Sequence, residues 1–137
     1  MTAVSGLTTR PLYDSTDSLL RFAMRADATL TGFCGLAAAF FADHLSSLTG
    51  VPSGQEYAMG AFFVLYGLVV FSLAASPNLH GVGIGVIVAN IVYTLGAIVA
   101  AGAVPMTAFG VTATLATGLF TAAFALLQYL GLRRLEA

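Results

Sequence analysis

The chain has 137 residues, 58% of them apolar and 8% charged, with a net charge of −1 and a mean hydropathy of +0.93. A soluble domain carries about 25% charged residues, and a fold this small lacks the interior to hide so much apolar surface, so lipid is the expected solvent. The near-neutral balance gives no reason to expect a nucleic-acid partner, and the single cysteine, Cys34, excludes an internal disulfide or a CxxC redox pair.

Residues 1–18 are polar and read as a flexible cytoplasmic tail. The run Asp14-Ser15-Thr16-Asp17 ends it with short polar side chains of the kind that start helices. The first predicted helix covers 19–45. Its charge-free stretch, Ala28–Ala42, is about 22 Å long, short for a bilayer, so Arg21, Arg25 and Asp27 are expected at one interface and Asp43 and His44 at the other. Ser46-Ser47, Gly50, Pro52 and Gly54 predict a loop. Between Glu56 and Arg133 there is no Asp, Glu, Lys or Arg, room for three apolar spans of about 20 residues. The predicted helices there are 56–75, 82–103 and 106–132, followed by a short basic end at 133–137.

All five cations are arginines, and all lie in the two terminal segments: Arg10, Arg21, Arg25, Arg133 and Arg134. Short segments rich in Lys or Arg stay cytoplasmic, which puts both termini inside and requires an even number of crossings. The expected fold is therefore an all-α four-helix transmembrane bundle, multi-pass in the cell inner (plasma) membrane. Val51-Pro52 before Gly60 and Gly67-Leu68 is echoed by Val104-Pro105 before Gly110 and Gly118-Leu119. That echo fits either two tandem helical hairpins or chance in a Gly/Ala/Leu/Val-rich chain.

Membrane helices associate through small residues that let backbones approach. Gly32 and Gly35 lie on a small-residue face of the first helix, Gly67 on the second, Gly85 and Gly96 on the third, and Gly110 and Gly118 on the fourth. These seams serve either a tight bundle or contact with a second protomer or larger complex.

Few residues carry chemistry. Asn90 lies well inside the third span, Tyr93 follows one turn on, and Gln128 falls at matching depth on the fourth. Such groups are costly in lipid and face the bundle interior. A register-fixing hydrogen bond between Asn90 and Gln128 and a polar patch on a solute path are both open. Asp27 is read with Arg21, Arg25, Arg133 and Arg134 as an inner-interface charge cluster, paired with an arginine. Asp43, His44 and Glu56 read as solvated interface residues, so no metal is expected. His44 and His80 fall at opposite faces, so no bis-His haem and no other cofactor is expected. Gly81-Val-Gly83-Ile-Gly85 lacks the preceding strand of a nucleotide loop. No Ser/His/Asp, Cys/His or paired-carboxylate set lies in the spans, so no catalytic residue and no enzyme is predicted.

The strings Leu20-Arg21-Phe22-Ala23-Met24-Arg25-Ala26-Asp27, Ala89-Asn90-Ile91-Val92-Tyr93 and Leu127-Gln128-Tyr129-Leu130-Gly131-Leu132-Arg133-Arg134 resemble those of small four-span bacterial integral membrane proteins common in actinobacteria. The resemblance implies four helices, brings no established activity, and suggests that Asp27, Asn90 and Gln128 belong to its pattern. Small multidrug exporters fit less well, since they use an acid within the first span and Ala28–Ala42 has none. Vitamin K reductase-like enzymes need a CxxC pair. The expected role is a non-enzymatic accessory or structural membrane subunit, with a small oligomeric transporter or channel for a neutral or apolar solute as the alternative. The expected partners are the lipid bilayer and either a homo-oligomer or a larger membrane complex.

Overall fold

A computed structural model of the chain describes residues 16–137, so the expectation for the N-terminal tail lies largely outside the described residues. The described residues form five helices: α1 (Ser18–Phe40), α2 (Ala42–Thr49), α3 (Ser53–Leu73), α4 (Leu79–Ala103) and α5 (Ala108–Glu136). Among them α3, α4 and α5 are each long and apolar enough to cross a membrane, and α1 with α2 makes a fourth if that bent pair counts as one span. Their outward faces are apolar: Phe40 is 82% exposed and Leu119 74%. Only 17% of the most apolar window of α3 is buried within the chain, so the surface that water would reject is left for another solvent.

The first helix ends earlier than its hydropathy suggests. It breaks at Phe41, and α2 leaves at 88° to α1. The polarity of the segment explains the turn. Along α2, Ala42 and Thr49 are buried while Asp43, His44 and Ser47 are exposed, the pattern of a short helix lying across the end of a bundle. Gly50 closes α2 with φ +78°, a left-handed conformation natural to glycine, and its N–H reaches the Ser46 carbonyl. The predicted basic end is also different. Helix α5 continues through Arg133 and Arg134 to Glu136, because no Gly or Pro follows Leu132 to stop it and cations suit a helix C-terminus. The other starts follow local signals. Asn78 caps α4 by accepting from the Gly81 N–H, and Thr107 caps α5 by accepting from the Gly110 N–H.

The helices associate as two antiparallel pairs, α1 with α3 and α4 with α5, and the pairs meet mainly along α1 and α5. The first pair is locked by glycine. A Cβ on Gly35 would stand 2.6 Å from the Gly60 carbonyl oxygen, and one on Gly67 would stand 2.6 Å from that of Ala28. Gly32 lies against the Gly67 Cα. In the second pair Gly118 faces Ala97, while Gly110 packs on the Thr49 carbonyl of α2 instead of on α4. Gly85 and Gly96 serve no contact inside the bundle: among the described residues nothing lies within 4 Å of where a Cβ on either would sit. Where α1 and α5 cross, Gly131 admits the Leu20 backbone, and Leu20, Met24, Val70, Leu79 and Leu132 form a buried apolar cluster.

Candidate functional site: a buried carboxylate behind a cavity

Asp27 is completely buried, the one acid so placed among the described residues. It is held by all four long helices. Tyr66 of α3 donates its hydroxyl to Oδ2 at 2.8 Å, and Asn90 Nδ2 of α4 and Gln128 Nε2 of α5 donate to the same oxygen at 2.9 Å each. Thr31, one turn along α1, donates to Oδ1 at 3.0 Å. Asn90 Nδ2 also donates to Gln128 Oε1 at 2.9 Å, the pair expected from their depth. Counted along each helix from the end bearing Arg21 and Arg134, this polar layer lies about 10–17 Å in, at 1.5 Å per residue.

The placement of Asp27 corrects the sequence reading. No arginine among the described residues pairs with it. Arg21 pairs with Asp17 at 3.0 Å and donates to the Ala74 and Ser76 carbonyls. Arg25 lies over the Phe71 ring, 6.0 Å from its centroid, and Arg133 and Arg134 are exposed. The physical reason is angular. Arg21 and Arg25 stand four residues apart on one face of α1, whereas Asp27 is two residues on, turned by roughly 200° at 3.6 residues per turn. An acid thus lies inside the buried length of α1, one residue before the charge-free run.

Tyr93 joins a neighbouring network and does not touch the carboxylate. Its hydroxyl meets Thr117 Oγ1 at 3.0 Å, and Thr94 Oγ1 meets Thr121 Oγ1 at 2.7 Å, so α4 and α5 are stapled by polar pairs along their seam.

Thr31, Tyr66, Thr117 and Thr121 carry no motif in the sequence. Two spacings mark the threonines, and none marks Tyr66. Thr31 is i+4 from Asp27, and Thr114, Thr117, Thr121 and Gln128 fall at i, i+3, i+7 and i+14 on a single face of α5.

On the open side of the bundle, α3 and α4 barely touch beyond their shared turn. Between them lies a cavity of about 490 Å³ lined by residues of all four long helices. Its wall is aromatic and apolar, with Phe62, Phe63, Tyr66, Tyr93 and Phe120, and Cys34 also faces it. The Phe63 and Tyr93 rings meet edge to face at 5.7 Å, bridging the two helices. Its polar wall residues are Thr31, Asn90, Thr117 and Thr121 together with the two tyrosines. Three of the four donors to Asp27, namely Thr31, Tyr66 and Asn90, therefore face the cavity. A mostly apolar hollow with a few convergent polar groups is the usual form of a small-molecule site. Comparison with family models, curated proteins and solved structures finds no match to the chain.

Proposed function

We propose that this chain is a four-span membrane protein, with both termini cytoplasmic, that carries or channels a largely apolar solute through the cavity between α3 and α4. The observation behind this reading is that the cavity reaches Asn90, so the buried polar layer is available to a guest as well as to the fold. The gathering of Arg21, Arg25, Arg133 and Arg134 in the segments at one end supports the orientation. With that end at the cytoplasmic face of a hydrocarbon core about 30 Å thick, the Asp27 layer falls near the midplane, where solute sites of membrane carriers lie. The α3 and α4 walls of the cavity include the exposed Phe62 and Val92, which suits a solute that partitions into lipid.

Solute flux in proteoliposomes tests this reading. The wild-type chain accelerates release of at least one apolar solute from a broad panel. Ala116→Phe, which puts a ring into the cavity wall, removes the acceleration while the protein keeps its fold. Absence of flux across the panel retires the reading.

A second reading, an accessory subunit, draws on one observation. Gly85, Ala89 and Gly96 share a face of α4, and none of the described residues packs on the two glycines. In that case a neighbouring helix fills the seam.

A further inference from the structure

Taking the cavity as the solute site, we propose that its solute is a hydrophobic organic cation, with Asp27 as the buried counter-charge. Among the described residues no cation stands beside the buried Asp27. Four donors satisfy the lone pairs of Asp27, but they are a tyrosine, a threonine and two amides, and none brings a positive charge. The arginines of the described residues are engaged or exposed elsewhere. A carboxylate removed from water is costly to keep without a compensating cation, and intramembrane acids as a rule face a partner or a pathway.

The cavity supplies the place for that cation. Thr31, Tyr66 and Asn90 form the partition, so a guest in the cavity lies one side chain from the carboxylate. The rest of the wall selects the kind of cation. Phe62, Phe63, Tyr93 and Phe120 offer ring surfaces, which attract a weakly hydrated positive charge. A metal ion would find too few oxygen ligands there to replace its water. An anion would meet the field of Asp27 unscreened. A neutral solute would gain the apolar contacts and leave the buried charge as it stands. A quaternary ammonium or similarly alkylated cation fits both features at once.

The test uses the full chain in lipid nanodiscs and a matched pair of probes, benzyltrimethylammonium and its uncharged isostere neopentylbenzene. Equilibrium dialysis, corrected with empty nanodiscs, reads both affinities. The cation binds at least about tenfold more tightly than the isostere. Asp27→Asn brings that ratio close to one. Phe120→Leu, which keeps Asp27 and its donors, weakens the cation severalfold while the isostere changes less than about twofold.

Equal binding of the two probes overturns the charge assignment and leaves the cavity reading standing. An undiminished preference in Asp27→Asn also overturns it. Failure of both probes to bind counts against the cavity itself. If Asp27→Asn does not fold, the isostere ratio of the wild type and the Phe120→Leu response decide.

Discussion

Asp27 shows how one side chain can do what sequence position alone does not announce. It follows two arginines and precedes a run without charge, which on a linear reading puts it at a membrane edge beside cations. Helical geometry turns it the other way, into the bundle, where it accepts four hydrogen bonds. Asn90 and Gln128 were legible because an amide inside a span stands out by composition. Thr31 is marked only by its i+4 spacing from Asp27, and Tyr66 by nothing, because tyrosine is ordinary in membrane helices and only the folded arrangement aims it at the carboxylate.

Bonds to a charged acceptor contribute about 1.5–3 kcal/mol in soluble proteins, and polar bonds between membrane helices about 0.6–1.7 kcal/mol, so the lower range is the safer guide. Tyr66→Phe removes one donor and no ring, and is expected to cost about 1 kcal/mol. Asn90→Leu removes bonds to both Asp27 and Gln128 and is expected to cost about 2–3 kcal/mol. Unfolding by SDS titration in mixed micelles reads both. A neutral Asn90→Leu would mean that the cluster does not hold the helices.

At the scale of helices, the two pairs differ in what binds them. Helix α1 meets α3 through bare backbone at Gly35, Gly60 and Gly67. The α4–α5 seam adds the Tyr93–Thr117 and Thr94–Thr121 contacts to Gly118. The glycine periodicity made the seams visible in the sequence. It did not reveal which seams are filled, because a small residue permits close approach without requiring a neighbour. Nor did hydropathy mark the bend at Phe41, since two apolar phenylalanines mask a turn set by the polar residues just beyond them.

The same glycine-to-alanine change therefore has opposite expected signs at two places. Gly35→Ala drives a methyl into the Gly60 carbonyl and Phe63, neither a yielding neighbour, and is expected to destabilise by about 1–3 kcal/mol. Gly96→Ala meets open space and is expected to stabilise α4 by up to about 1 kcal/mol through helix propensity. Thermal melts of the purified variants check the pair. A destabilising Gly96→Ala would instead favour the accessory-subunit reading, with a partner helix against α4.

For the whole molecule, the arrangement follows from where the pairs touch. They join along α1 and α5, reinforced by the Asp27 cluster, and stand apart between α3 and α4. That asymmetry leaves a hollow backed by the buried Asp27 and its donors. No periodicity predicts it, because its walls come from four helices whose relative splay appears only on folding.

Photolabelling reads whether this hollow admits a solute from the bilayer. A lipid-soluble aryl diazirine is activated in membranes holding the wild-type chain, and the adducts are mapped by mass spectrometry. Adducts are expected to concentrate on the half-buried Phe63, Tyr93 and Thr117 of the cavity wall, above those on the more exposed Val99 and Leu119. Ala116→Phe suppresses those adducts and spares the ones on Val99 and Leu119. Labelling that follows lipid exposure alone, unchanged by Ala116→Phe, would mean that no solute enters the hollow.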